Sequence, residues 1–147
     1  MAYSNQMPQG TRRSFSNLWN SVRRGATAGI PLDRVTVTGL SMAPALLPGD
    51  RLLVLRTRRV RIGDTVIVHD PRNPIREVVK RVVALDPDGA VTLRGDSATA
   101  STDSRTYGAV PRTLVVGRVI YRYAPPERVS RITRFDAQPR RLGRRRR

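Results

Sequence analysis

The chain has 147 residues, enough for one domain with a modest hydrophobic core but too few for two substantial ones. It contains no cysteine, which excludes disulfides and thiolate metal sites, and no apolar run approaches the roughly 18 residues of a membrane span. The formal net charge is +17, and of 28 basic residues Lys80 is the only lysine. Arginine stays protonated in proteins, whereas a buried lysine can act as a base. Composition alone does not separate such a base from one lysine left over in an arginine-rich chain.

Residues 1–30 form a polar N-terminal segment with one amphipathic stretch. Within 12–24, apolar side chains recur at helical spacing between two arginine pairs, namely Phe15, Leu18, Trp19 and Val22. Such a stretch forms a helix on an anionic membrane surface, forms a helix packed against the domain, or stays loose. The first arginine pair imitates an export signal, but polar residues follow where an export signal needs an apolar region.

Residues 31–124 carry the pattern of a folded β domain. Short β-branched runs alternate with Gly, Pro and Asp turns and predict strands at 34–38, 51–55, 64–69, 76–85, 90–93 and 113–123. No core helix pattern interrupts them. The sequence therefore predicts a mostly β, compact antiparallel domain.

Residues 125–147 are predicted to be a disordered basic tail that ends in "RRLGRRRR". Such a run attracts polyanions in general, whether acidic lipid or nucleic acid. The chain has no zinc finger and no aromatic ribonucleoprotein motif, so no specific nucleic-acid partner is expected. A non-enzymatic module that binds nucleic acid or an anionic membrane through the tail is one alternative function.

Ser41 lies in "VTGLSMAPALLPGDRLLV", between two turns in an apolar stretch. A serine on a rigid turn beside apolar walls is placed as a nucleophile would be, but it needs an adjacent base. If 76–85 is a strand, Lys80 shares a face with Val78, Val82 and Ala84, while Glu77, Val79, Arg81, Val83 and Leu85 share the other. Burial among apolar neighbours lowers the pKa of a lysine, which must fall by roughly 2–3 units from its usual ~10.4 to give a useful base.

His69 offers a second base. A Ser-His-Asp triad with Asp70 or Asp103 is formally available. However, His69 and Asp70 are adjacent on a predicted strand and would point in opposite directions. The lysine is therefore the preferred partner of Ser41.

Three segments resemble, in the same order, the sequence boxes of type I signal peptidases, the Ser/Lys endopeptidases that remove leader peptides. "GLSMAPALLPGD" (39–50) resembles the serine box and "VKRVVAL" (79–85) the lysine box. "LRGDSATASTDSRTYGAVP" (93–111) resembles a third box, with Gly-Asp followed by Ser-x-Asp-Ser-Arg and Gly-x-Val-Pro. Self-cleaving repressors of the SOS type share a Ser/Lys β domain but are not expected to show this third loop.

The resemblance implies a role for each matching residue. Ser41 would be the nucleophile, Lys80 the general base and Ser101 the group that orients the lysine amine. The residues implied in support are Asp96, Asp103, Arg105 and Arg81 around the site, Gly39 beside the oxyanion, and Met42 and Pro44 at the substrate. Gly39 stands where some family members carry a serine that helps to stabilise the oxyanion, which leaves the second oxyanion donor open.

The resemblance implies cleavage of a leader or propeptide after small residues, without cofactor or metal. The expected partner is a peptide or precursor protein. Because no membrane span is seen, the chain resembles the short, anchorless branch of the family more than its anchored members; that branch includes proteases thought to mature nickel superoxide dismutase. The expected location is cytoplasmic or peripheral to an anionic membrane, and the substrate is either a membrane-bound leader or a soluble precursor.

Overall fold

The computed structural model describes residues 31–102 and 104–134, and the chain there is a single antiparallel sheet with little helix. The N-terminal amphipathic stretch, Asp103 and the terminal arginine run lie outside the described residues. The strands are β1 (Leu32–Thr36), β2 (Arg51–Leu55), β3 (Thr65–Asp70), β4 (Asn73–Leu85), β5 (Val91–Arg94), β6 (Val115–Ala124) and β7 (Ser130–Arg131). One helical turn, α1 (Ser104–Tyr107), and 3-10 turns at Arg112–Leu114 and Pro126–Arg128 complete the described elements. The predicted mostly β fold is confirmed.

The strands follow the order β1-β2-β6-β3-β4-β5, with β7 added to β6. Every pairing is antiparallel. The central strand β3 is buried on both faces: Ile67 packs in one hydrophobic cluster and Val66 and Val68 in another. A strand buried on both sides reads as an uninterrupted apolar run, which is why "TVIVH" shows no alternation.

The first cluster joins β1, β2, β3 and β6 to the loop that carries Ser41, and it contains Val35, Val37, Met42, Leu46, Leu52, Val54, Ile67 and Val119. The second joins β3 through β6 and contains Val60, Val66, Val68, Val82, Val91, Leu93, Val110 and Val115. The cleft described below lies beside the first cluster, so that its floor is part of the core.

Strand β4 follows the predicted alternation only over its middle. Val78 and Val82 pack on the second cluster and Val79 on the first, as expected for alternate side chains. The pairing of β4 with β5 shifts register between Val82 and Ala84. This irregularity turns Leu85 onto the second cluster, the same side as Val78, so its predicted placement on the opposite face was wrong.

Two turns are built alike around a Gly-Asp pair. Gly49 and Gly63 have φ of 92° and 90°, a region that glycine enters without steric cost. In each turn the aspartate carboxylate accepts the backbone N–H three residues earlier: Asp50 from Leu47 at 2.9 Å, and Asp64 from Arg61 at 2.8 Å. Each turn thus orients its own aspartate side chain through a local hydrogen bond, independently of any partner from a distant part of the sequence.

The sheet extends past residue 124, at which the sequence analysis ended the domain. Ser130 and Arg131 of β7 pair with Arg122 and Tyr121 of β6. The N–H of Ile132 donates to the Ile120 carbonyl at 3.1 Å, and the Ile132 side chain packs on the first cluster. The segment 126–134 therefore belongs to the packed body of the protein.

Candidate active site

A cleft of about 250 Å³ opens between the end of β1 and the first half of β4. It is lined by Val35, Thr36, Val37, Thr38, Gly39, Leu40, Ser41, Met42, Ile67, Asp70, Arg72, Arg76, Glu77, Val78, Val79, Lys80, Ala100 and Thr102. Ser41 and Lys80, distant in sequence, thus border the same space.

The loop 37–50 holds Ser41 by closing on itself. Its ends meet where the Val37 N–H donates to the Asp50 carbonyl at 2.9 Å and the Gly49 N–H donates to the Val37 carbonyl at 2.8 Å. Met42 and Leu46 are almost fully buried in the first cluster and anchor the loop from below. Ser41, one residue before an anchored methionine, is left half-buried at the cleft.

Lys80 is buried, with a relative exposure of 3%. It lies on β4 between Val78 and Val82, opposite Val66 of β3. Its amine Nζ donates a hydrogen bond to the Ser101 hydroxyl at 2.8 Å. The amine is therefore held in an apolar part of the sheet by a neutral hydroxyl.

Gly95 joins the serine loop to the loop that carries Ser101. A Cβ on Gly95 would overlap the Ser101 side chain and lie 2.5 Å from the Ser41 carbonyl oxygen. That same carbonyl accepts the N–H of Ser97 at 3.0 Å. Only glycine lets the two loops approach this closely. The sequence analysis quoted Gly95 within a motif but gave it no role, because the way the loop folds Ser101 back onto Gly95, beside the distant Ser41 carbonyl, is not visible in the sequence.

Arg81 forms a two-pronged ion pair with Asp96. Its Nε and Nη2 donate to the two carboxylate oxygens at 2.8 and 2.7 Å, and its Nη1 donates to the Gly63 carbonyl at 3.0 Å. This bidentate geometry is the strong form of the arginine–carboxylate contact. It fixes the loop after β5 to the residue next to Lys80.

The other residues named from the sequence are distributed as follows. Gly39 is half-buried in the cleft wall, and a Cβ there would meet nothing within 4 Å. Met42 lines the cleft from the core, whereas Pro44 is exposed and is not among the lining residues. Arg105 is exposed on α1, and Asp103 lies outside the described residues.

Charged residues line the β4 end of the cleft, among them Arg72 and Arg76, which the sequence analysis did not select, and Asp70, which it named only as a possible partner of His69. Asp70 is 3% exposed and accepts two hydrogen bonds from the Arg72 guanidinium at 3.1 and 2.9 Å. Burial raises the pKa of Asp70, but the hydrogen bonds from Arg72 and the charge of Arg76 outweigh it, so the pKa is lowered overall. The hairpin between β3 and β4 is therefore held by an ionised carboxylate.

His69 borders a different cavity. It lies with Arg56, Thr57, Arg58, Thr113, Val115 and Val116, and it is not among the residues that line the Ser41 cleft. Within the described part of the chain its Nδ1 atom is buried and has no hydrogen-bond partner. The geometry thus gives no support to a histidine base for Ser41.

Comparison with known proteins identifies the family to which the chain belongs. The family model described as signal peptidase, peptidase S26 matches residues 26–89, which include Ser41 and Lys80. The mitochondrial ATP-independent inner membrane protease subunit 1a of Arabidopsis thaliana is 37% identical over 117 residues, covering 62% of this chain and 70% of the relative. The chain belongs to the signal peptidase S26 family. It is accordingly a peptidase, a member of the hydrolases.

Animal members of the signal peptidase S26 family are similar to the chain as well. Mitochondrial inner membrane protease subunit 2 of Danio rerio is 33% identical over 130 residues, covering 69% of this chain and 71% of the relative. Subunit 1 of the same protease in Homo sapiens is 31% identical over 114 residues, covering 62% and 69%. Among the residues that the structure describes, no helix is long and apolar enough to cross a membrane.

Proposed function

We propose that the protein is a serine endopeptidase in which Ser41 is the nucleophile and Lys80 the general base. The observation that carries this proposal is the buried Lys80, which lines the same cleft as Ser41 and whose amine donates to Ser101. A serine hydroxyl is a poor nucleophile until a base removes its proton. Lys80 is the basic group in this cleft that can exist in a neutral form, because the arginines there stay protonated.

Burial of Lys80 supports its role as a base. Desolvation disfavours the ammonium form of an amine and so lowers the pKa of a buried lysine. The Ser101 hydroxyl accepts one N–H of the amine and so directs the nitrogen. Its role is to fix the orientation of the nitrogen lone pair.

The proposed reaction is a two-step acyl transfer. The neutral Lys80 amine takes the Ser41 hydroxyl proton as Oγ attacks the scissile carbonyl carbon. When the tetrahedral intermediate collapses, the C–N bond breaks and the leaving amine takes the proton from the Lys80 ammonium. A water molecule then attacks the acyl-serine with Lys80 as its base, and the carboxylate product leaves as Ser41 recovers its proton.

The negative charge that develops on the oxygen of the scissile carbonyl must be stabilised by hydrogen-bond donors. The backbone N–H of Ser41 supplies one in this proposal. Gly39 has no side chain to supply a second, although the structure leaves open space at its Cβ position. Because one oxyanion donor is worth about 2.7–4 kcal/mol, this feature affects the rate of cleavage and leaves the type of reaction unchanged.

The cleft is suited to an extended peptide. Among the described strands, β1 pairs only with β2, and residues 73–80 of β4 pair only with β3. A substrate strand placed between these two edges would gain backbone hydrogen bonds in the manner of strand addition. Apolar Met42, Ile67 and Val79 line the cleft, and its small volume favours small side chains before the cut, as the resemblance to signal peptidases also implies.

The relatives bear on the class of substrate. Several are named inner membrane proteases, which favours a leader presented at a membrane over a soluble precursor. In this proposal the chain acts peripherally at an anionic membrane. Maturation of a soluble precursor, such as that of nickel superoxide dismutase, is the competing substrate class.

Replacement of Ser41 by alanine tests the proposed function in the native host. Precursors whose leaders are cut by this enzyme should accumulate uncut, and mass spectrometry of their N-termini should place the missing cuts after small residues. Recovery in the membrane fraction would identify leaders, and recovery in the soluble fraction would identify soluble precursors. Normal processing in the Ser41→Ala strain, with cleavage by the purified variant at the wild-type rate, would contradict the serine nucleophile.

A further inference from the structure

Two arginines near the C-terminal end of the described chain bind the loop that carries Ser41. Arg122 Nη1 donates to the Ala45 carbonyl at 2.9 Å and to Asp50 Oδ2 at 3.2 Å. Arg128 donates to both Asp50 oxygens, from Nε at 2.9 Å and from Nη2 at 3.0 Å. Two points of the loop, the Ala45 carbonyl and the Asp50 carboxylate, are thus fixed by the same pair of side chains.

Asp50 connects these arginines to the whole loop. It is 1% exposed, and its carboxylate also accepts the Leu47 N–H. Its carbonyl accepts the N–H of Val37 at the other end of the loop. A displacement of the Asp50 side chain would therefore be transmitted to both ends of the segment that presents Ser41.

The two arginines are themselves held in place. Arg122 Nε donates to the Arg128 carbonyl, and Arg122 Nη2 donates to the Ser130 hydroxyl at 3.0 Å. Ser130 belongs to β7, which pairs with β6, and Ile132 packs in the first hydrophobic cluster. The arginine side chains that bind the loop are consequently held in place by the sheet.

We propose that Arg122 and Arg128 are positioning residues that keep the Ser41 loop in the geometry required for attack. This inference rests on the proposed function, since it assigns the arginines a role only if Ser41 is the nucleophile. They act through Asp50 and Ala45 and touch no reacting atom. A displacement of about 1 Å at a reacting group can cost up to roughly 100-fold in rate, so a loosened loop has a measurable effect on turnover.

The second Gly-Asp turn supplies a matched control. Asp64 is 3% exposed, accepts the Arg61 N–H and is bound by Arg134 Nε at 2.9 Å. Arg134 lies on the same C-terminal segment as Arg128, but the partner that the structure gives it is Asp64, outside the loop 37–50. Loss of Arg134 therefore removes an ion pair of the same kind without releasing Ser41.

The experiment compares Arg128→Gln with Arg134→Gln in the full chain by two measurements. Hydrogen exchange of peptides covering 40–50 should increase in Arg128→Gln and stay at the wild-type level in Arg134→Gln. On a fluorogenic peptide with alanine at the first and third positions before the cut, kcat of Arg128→Gln should fall about tenfold or more with KM within about twofold. Both parameters of Arg134→Gln should stay within about twofold of wild type.

A double replacement tests whether the arginine acts through the carboxylate. If it does, Asp50→Asn combined with Arg128→Gln should be no slower than Asp50→Asn alone, because the two losses are not additive. Unchanged exchange in 40–50 for Arg128→Gln would overturn the proposal, as would equal effects of both arginine variants spread over the entire domain. Cleavage that survives Ser41→Ala would instead defeat the proposed function, and the exchange measurement would still decide whether the loop is held by Arg128.

Discussion

In the proposed mechanism Lys80 occupies a position at which arginine, the basic residue used elsewhere in the chain, would fail. Its amine is 3% exposed and donates to the Ser101 hydroxyl, and the proposal assigns it the proton of Ser41. Arginine would keep the positive charge at that position, but it would not act as a base at any pH at which the protein is folded.

Replacement of Lys80 by arginine should therefore abolish peptide cleavage, with kcat reduced by about 10²-fold or more. In the wild-type enzyme kcat should rise with pH through the pKa of Lys80, because only the neutral amine accepts the Ser41 proton. The measurement is a pH–rate profile on the fluorogenic peptide. His69→Ala, which alters the other cavity, should leave both the rate and the profile unchanged, and a lost basic limb in that variant would favour a histidine base instead.

Gly95 is a second position at which only one residue type fits, here because neighbouring atoms lie too close for a side chain. Its Cβ position falls on Ser101 and 2.5 Å from the Ser41 carbonyl. Gly95→Ala should separate the two loops and lower kcat by about tenfold or more, by the same misplacement argument as for the serine loop. Ser97→Ala is the control in the same segment, because it keeps the backbone N–H that Ser41 accepts. Wild-type turnover in Gly95→Ala would show that the loops tolerate separation.

The sequence analysis selected Ser41 and Lys80, which border one cleft in the structure, because each lies in a contiguous pattern. The alternation of Val78, Lys80 and Val82 indicated burial of the amine without any knowledge of the fold. Gly95 was not assigned a role, since no local pattern shows that the Ser101 side chain and the remote Ser41 carbonyl will occupy the space beside it.

The Gly-Asp turns are the elements that organise this domain. Each aspartate satisfies a backbone N–H locally and is then bound by an arginine from the C-terminal segment, Asp50 by Arg128 and Asp64 by Arg134. Burial raises the pKa of Asp50, but hydrogen bonds from Arg128 and Leu47 and the nearby arginine charges lower it by more. Because the pKa is lowered in the folded state, the carboxylate stabilises the fold when it is ionised.

The sign of the pH dependence follows from this shift. The contribution of Asp50 is fully present above the unfolded-state pKa of about 3.9 and is lost as the pH falls through the lower folded-state pKa. Asp50→Asn should lower the free energy of unfolding at pH 7 by about 1–3 kcal/mol and flatten its decline in acid. Denaturant unfolding at several pH values between neutrality and strong acid measures both, with the exposed Asp88→Asn as control. Parallel curves for wild type and Asp50→Asn would contradict the linkage.

Element boundaries were predicted where local turn chemistry marked them. The second predicted strand coincides with β2, and the turn before it was read from Pro48, Gly49 and Asp50. The first strand lies earlier than predicted because Val37 closes the serine loop instead of continuing β1. The shift at Leu85 and the two-residue β7 depend on pairing partners in other strands, which no local pattern records.

At the scale of the whole molecule, arginine has two kinds of role. From composition, the basic C-terminal region 125–147 reads as one solvated tail. Within it, however, Arg128 and Arg134 form ion pairs with aspartates 78 and 70 residues away. The paired residues are far apart in the sequence, so no local pattern predicts these ion pairs. They show that the region 125–147 is packed against the domain as far as Arg134; residues 135–147 lie outside the described part of the chain.

Two truncations should separate these roles. A chain that ends at Arg134 keeps every described contact, so it should cleave the peptide at the wild-type rate while its affinity for heparin, a polyanion, falls with the loss of the arginine run. A chain that ends at Ala124 loses β7 and both ion pairs and should unfold at a lower temperature. Loss of peptide cleavage in the longer truncated chain, with its melting temperature unchanged, would favour the alternative in which the tail carries the function.

Strand edges that can pair with a substrate, as proposed above, can also pair with another protein chain. Among the strands that the structure describes, the outer edge of β1 and that of residues 73–80 of β4 have no partner, so an extended backbone could pair with them, including one from a neighbouring copy of the enzyme. Exposed Arg34 on β1 and partly exposed Arg76 on β4 place like charges on the two edges, and the overall charge of +17 adds repulsion between copies. We expect this positive charge to oppose association of copies through the groove, and because salt screens surface charge, self-association should increase at high salt concentration.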